Sequence, residues 1–93
     1  NKLEKIYAVL EGSVLMCGKN IELGNFLIIS HPENIISIYA HADSFIKNTN
    51  DNVLGGEVIG FVGNTGTLSN GTHLHFELQH NNININPKKY ILF

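Results

Sequence analysis

The stretch THLHFELQ (72–79) combines the pattern of a β-strand with two closely spaced histidines. Side chains alternate between the two faces of a strand, so His73, His75 and Glu77 are predicted to share one face. The alternate positions on the other face are all apolar and suit a core: Leu74, Phe76 and Leu78. The two imidazoles would lie roughly 6–7 Å apart along the strand. At that spacing both can act on one small object, such as a metal ion or a reacting carbonyl.

Strand-like runs recur along the chain and are separated by short turns rich in Gly, Pro and Asn. Strands are predicted in KIYAVL (5–10), SVLMC (13–17), NFLIIS (25–30), IISIYAH (35–41), EVIGFVG (57–63), THLHFELQ (72–79) and NIN (84–86). The first two are predicted to pair around Glu11-Gly12, and the next two around the turn HPEN. The segment ADSFIKNTNDN (42–52) is predicted to be a loop because Asn and Thr favour turns over helix. No helix-length periodicity appears, so the sequence predicts an all-β fold: an antiparallel sheet, sandwich or partial barrel.

Composition limits the class of protein. The 93 residues are 43% apolar and only 15% charged, which predicts one folded domain spanning 1–93. The six Lys and Arg residues form no patch and the net charge is −2, so a nucleic-acid partner is not expected. No apolar run approaches the ~18–20 residues of a membrane span. Cys17 has no cysteine partner in the chain and is interpreted as a buried, small apolar residue.

The histidines outside THLHFELQ have different expected roles. His31 and His80 lie in polar turn segments and are predicted to be solvated loop residues. His41 ends the strand IISIYAH, where the set Ile36, Ile38 and Ala40 is the better core face. Tyr39 and His41 are therefore predicted to face away from the core. If this strand neighbours THLHFELQ, three imidazoles converge on one surface; the alternative is that His73 and His75 are ordinary polar residues of a solvated face.

Several runs taken together resemble the lysostaphin/LytM-type peptidoglycan endopeptidases. They are YAH (39–41), GGEVIGFVGNTG (55–66) and GTHLHFEL (71–78), followed by Asn86-Pro87 and Tyr90. The upstream runs IYAVLEGSV (6–14) and GNFLIISH (24–31) resemble the central strands of that family in order and spacing, so the resemblance covers nearly the whole chain. It implies a LytM-like fold of the duplicated-hybrid-motif type, with a groove floored by the large antiparallel sheet. The glycines from Gly55 to Gly71 are expected in tight turns and close backbone approaches at the groove wall.

The resemblance also implies a zinc site and an activity on cell-wall peptides. His75 corresponds to a zinc ligand, and His41 and His73 correspond to the catalytic pair beside the metal. Zinc polarises a scissile carbonyl and lowers the pKa of bound water towards ~7. The two other imidazoles would move protons and stabilise the oxyanion. Glu77 is either a residue that orients an imidazole or a solvated charge.

One part of the family pattern is missing from this chain. The family's upstream His-x-x-x-Asp segment, which supplies two further zinc ligands, would end just before Asn1, and NKLEK stands in place of the usual entry to that strand. Two hypotheses follow: a zinc peptidase whose remaining ligands lie outside the chain, or a degenerate member that regulates cell-wall amidases or bridges envelope complexes. Either would act in the bacterial envelope, in the periplasm or outside the cell. A carrier domain of the biotinyl or sugar-phosphotransferase type is a third hypothesis, and the absence of a Lys at a suitable hairpin tip argues against it.

Overall fold

A computed structural model describes residues 4–62 and 74–85, and within these ranges the chain forms eight strands and one short 3-10 turn. The strands are β1 (Lys5–Tyr7), β2 (Gly12–Asn20), β3 (Gly24–His31), β4 (Ile35–Phe45), β5 (Asn52–Val53), β6 (Val58–Val62), β7 (His75–His80) and β8 (Ile83–Ile85). The 3-10 turn spans Pro32–Asn34. No helix in the described part of the chain is long and apolar enough to cross a bilayer. The predicted all-β fold is confirmed.

The strands form one sheet in which all of the pairings between described strands are antiparallel. Its main path runs β1-β6-β4-β3-β2-β5, while β7 pairs with β4 and β8. The central strand β4 is 11 residues long, and along one edge it pairs with two different strands. Its first part, 35–40, pairs with β7, and its last part, 42–45, pairs with β6. The sheet therefore branches near residue 41.

The core lies on one face of this sheet and is built from aliphatic side chains and Tyr39. Its members are Ile6, Ala8, Val14, Leu27, Ile29, Tyr39, Ala42, Val53, Ile59 and Val62. Leu74 and Phe76 pack against this cluster and Leu78 is buried, so the predicted apolar face of THLHFELQ is confirmed. Cys17 also packs against the cluster but is only half-buried.

The predicted core face of β4 is wrong. Ser37 and Tyr39 are buried, whereas Ile36 and Ile38 remain half-exposed on the opposite face. Of the predicted set only Ala40 is buried, and it is not part of the core cluster. Burial of these polar residues is possible because their polar atoms have partners. The Tyr39 hydroxyl accepts a hydrogen bond from the Val9 backbone N–H at 3.2 Å, and its ring lies 5.2 Å from that of Phe76 between centroids.

The prediction that His31 is a solvated loop residue is also wrong, because its side chain is only 5% exposed. Its Nδ1–H donates to the Glu11 carbonyl at 2.7 Å, and its Nε2 accepts from the Ser37 hydroxyl at 2.7 Å. The carbonyl only accepts, which fixes this tautomer. Burial lowers the pKa of His31, so the ring is a neutral structural bridge. His80, likewise predicted in a loop, is half-buried at the end of β7.

Of the two predicted strand pairs, one is confirmed and the other is wrong. The pairing of β3 with β4 around Pro32–Asn34 is confirmed. The pairing of β1 with β2 is wrong, since β1 pairs with β6. The reason lies beyond the end of β1, where the Ala8 N–H donates to the Glu57 carbonyl and the Ala8 carbonyl accepts from Gly56. Ala8 thus continues along the β6 side of the sheet instead of turning back.

The loop predicted over 42–52 begins later than expected, because 42–45 continue β4 and pair with β6.

The predicted roles of the glycines are confirmed at two positions. Gly56 adopts a left-handed φ of +81° in a turn, and a Cβ at Gly60 would stand 2.5 Å from the Ser44 carbonyl oxygen. Gly63, Gly66 and Gly71 lie outside the described residues.

Candidate functional site

The pairing of β4 with β7 brings two of the predicted site residues together. Ala40 pairs directly with His75, so the next residue of β4, His41, lies close to His75. The ring centroids of His41 and His75 are 5.9 Å apart, and the rings meet edge-to-face at 90°. The predicted convergence is confirmed for these two imidazoles. His73 lies outside the described residues, so its place in the site stays a prediction.

His41 reaches this face through its backbone rather than through strand alternation. Simple alternation would put it on the same face as Tyr39, which is the core face. Instead, His41 has a φ of +60°, in the left-handed region that L-residues rarely adopt. Its N–H donates to the Leu23 carbonyl at 2.7 Å. The left-handed residue acts as a bulge that turns the imidazole towards His75 and shields its Nδ1 from solvent.

His75 is held by a carboxylate on its own strand. Its Nε2 lies 2.7 Å from Oε2 of Glu77, and both side chains are partly exposed. A carboxylate accepts, so Nε2 donates the proton and the lone pair of the neutral ring lies on Nδ1. Of the two roles considered for Glu77 from sequence, the contact favours orientation of the imidazole.

The face that carries these histidines has an apolar floor. The strand register places Met16, Ile28, Ile38 and Glu77 in one row across four strands. Ile28 and Ile38 are half-exposed, and Met16 is 53% exposed. Substrate or partner groups approaching His75 would therefore contact aliphatic side chains next to a carboxylate.

The chemistry of the described residues provides one candidate zinc ligand. Neutral imidazole is a common zinc donor, and a carboxylate bonded to its second nitrogen fixes the ring and raises its basicity. His75 with Glu77 fits this pattern. In residues 4–62 and 74–85, no group of three His, Cys, Asp or Glu side chains is close enough to hold a metal. Since a catalytic zinc normally has three protein ligands, the other two would lie outside those ranges.

Comparison with known proteins places the chain in a family. The profile of Peptidase family M23 matches residues 1–87. The chain is 35% identical over 92 residues to the murein hydrolase activator NlpD of Escherichia coli, covering 98% of this chain and 24% of NlpD. It is 40% identical over 82 residues to the DD-carboxypeptidase/endopeptidase Mpg of Neisseria meningitidis, covering 88% of this chain and 19% of Mpg. The chain thus spans a quarter or less of these relatives.

Solved structures show the same architecture. A zinc-containing peptidase from Vibrio cholerae superposes with a TM-score of 0.83 at 28% identity, covering 91% of this chain and 26% of the other. The catalytic domain of the antimicrobial peptidase lysostaphin from Staphylococcus simulans gives 0.86 at 24% identity, covering 97% and 71%, which supports the fold alone. The expected LytM-like fold is therefore confirmed. With its profile match over nearly its whole length, the chain belongs to Peptidase family M23.

Proposed function

We propose that residues 1–93 form a single domain of a zinc-dependent endopeptidase that cleaves peptide stems or cross-bridges of bacterial peptidoglycan. The observation that carries this proposal is the contact between His41 and His75, whose ring centroids are 5.9 Å apart. A left-handed, non-glycine backbone residue is disfavoured, and such residues concentrate at functional sites. That His41 adopts this conformation to meet a second imidazole supports a chemical role for the pair.

The proposed roles differ between the histidines. His75 holds zinc, and Glu77 fixes its ring through the 2.7 Å hydrogen bond. When bound, zinc supplies a Lewis acid for the scissile carbonyl and for water. His41 lies beside His75 and is placed to bind and transfer a proton at the reacting group. His73, outside the described residues, is proposed as the second catalytic imidazole.

The relatives support the substrate class and the cellular location. Mpg is named as a DD-carboxypeptidase/endopeptidase and NlpD as a murein hydrolase activator, so one name is that of a peptidase and the other refers to murein. A further relative from Yersinia enterocolitica, 33% identical over 89 residues, is named a lipoprotein. We propose that this protein acts on peptidoglycan in the bacterial envelope, in the periplasm or outside the cell.

A second function is favoured by one specific finding. NlpD, named as an activator, matches 98% of this chain, so the same fold occurs in a protein named for activating a hydrolase. In this alternative the histidine-bearing face would bind a cell-wall amidase or another envelope protein without cutting peptides. The apolar row that leads to Glu77 is a surface suited to such a contact.

Digestion of purified peptidoglycan by the intact protein distinguishes the two functions. We expect the wild type and His80→Ala to release cleaved peptides, and His41→Ala to release none while remaining folded. His80 is the matched control because it is a histidine at the far end of β7 from His75. If the folded wild type releases no peptide but accelerates an added amidase, the endopeptidase proposal is wrong and the activator holds.

A further inference from the structure

The sheet is irregular on both sides of His41. The register between β3 and β4 shifts between Asn25 and Leu27, and the register between β4 and β6 shifts between Ala42 and Ser44. His41 lies between these two breaks with its left-handed φ of +60°. Regular ladder hydrogen bonds are interrupted at such bulges, so other groups must hold the local backbone.

The side chain of Asn25 provides two of these contacts. Its amide nitrogen donates to the carbonyl of Ala42 at 3.2 Å and to the carbonyl of Asp43 at 2.7 Å. These carbonyls belong to the two residues that directly follow His41. Asn25 therefore binds the bulged part of β4 from the neighbouring strand, and it uses both N–H groups of one amide to do so.

We propose that Asn25 is a positioning residue for His41. Through the carbonyls of Ala42 and Asp43 it holds the bulge that turns the imidazole out of the core face and against His75. A regular strand would return residue 41 to the core face, so without the two donors the His41 ring would leave His75. The catalytic meaning of this positioning rests on the proposed endopeptidase function, but the geometric claim does not.

An aspartate in the loop after β4 provides a control for general stability. The Oδ2 of Asp51 accepts from the Asn48 N–H at 2.7 Å. Asp51→Ala removes a side-chain hydrogen bond to the backbone, as Asn25→Ala does, but leaves the carbonyls of Ala42 and Asp43 and the Leu23 contact with the His41 N–H in place. Asn25→Asp retains the size of the side chain and removes both donors.

The test is an NMR measurement on the intact, metal-free protein carrying labelled histidine. We expect an NOE between the rings of His41 and His75 in the wild type and in Asp51→Ala, and its loss in Asn25→Ala and Asn25→Asp. If the protein cleaves peptidoglycan, the two Asn25 variants should also lose about 10²-fold in kcat with little change in KM, as expected for a misplaced catalytic group. Asp51→Ala should retain the wild-type kcat.

Each outcome decides the proposal. A full-strength NOE in either folded Asn25 variant overturns it. Unfolding of both Asn25 variants, with Asp51→Ala folded, also overturns it, because Asn25 would then serve general stability. A wild type that shows the NOE but neither binds zinc nor cuts peptides refutes the proposed function and leaves the positioning of His41 intact.

Discussion

Replacement of His41 by Gly and by Ala tests whether its backbone conformation is imposed by the fold. Both variants lose the same imidazole, so the difference between them reports the backbone. A left-handed φ, here +60°, costs an L-residue about 1–2 kcal/mol and costs glycine little. Glycine loses more conformational entropy on folding than alanine, which offsets about 0.4–1 kcal/mol of that gain. We therefore expect His41→Gly to be more stable than His41→Ala by about 1 kcal/mol.

Urea unfolding followed by circular dichroism measures this difference, which corresponds to a change of about 4–8 °C in Tm for a domain of this size. His75 is the matched control, since it is a histidine in a strand without a positive φ. There the order should reverse, with alanine more stable than glycine by about 0.5–1 kcal/mol. If His41→Ala is as stable as His41→Gly, the left-handed backbone is not intrinsic to the fold and the bulge argument fails.

Three further predictions concern the zinc site, the buried histidine and a close backbone approach. Glu77→Ala should weaken zinc binding by about 10–100-fold in a metal titration, with a smaller loss in Glu77→Gln, which still accepts from His75; equal affinity in all three would deny Glu77 an orienting role. Burial lowers the pKa of His31, so its contribution to stability is complete above about pH 6.5 and falls as the pH drops towards the lowered value. The stability advantage of wild type over His31→Gln should therefore shrink from about pH 7.5 to pH 5 in urea titrations, and a constant advantage would contradict this. Gly60→Ala should cost about 1–3 kcal/mol because its Cβ would stand 2.5 Å from a carbonyl oxygen, whereas Gly55→Ala, whose Cβ would lie at least 3.6 Å from its neighbours, should change thermal stability little.

Sequence reasoning succeeded where local pattern decides structure. Alternation in THLHFELQ correctly assigned Leu74, Phe76 and Leu78 to the core and His75 with Glu77 to the other face. It failed for β4, where the set Ile36, Ile38 and Ala40 is more apolar than the set that contains Ser37 and Tyr39. The burial of these two polar residues depends on partners outside β4: His31 across the hairpin for Ser37, and Val9, 30 residues away, for Tyr39. The alternation within β4 does not reveal these partners.

In the candidate site, too, some features could be predicted from the sequence and others could not. The resemblance to a family identified His41 and His75, and the structure places their rings in contact. Alternation alone could not place His41, because a left-handed residue breaks the two-residue period. Sequence reasoning missed Asn25 altogether. Its only signal was an asparagine directly after a glycine at the start of β3, a pattern that usually indicates a turn.

Metal analysis of the intact protein determines whether His75 holds a zinc ion. After purification with zinc and removal of excess metal, we predict about one zinc per chain in the wild type and in His80→Ala, and none in His75→Ala. A folded wild-type protein without zinc, or a His75→Ala variant that retains zinc, would show that His75 is not a zinc ligand.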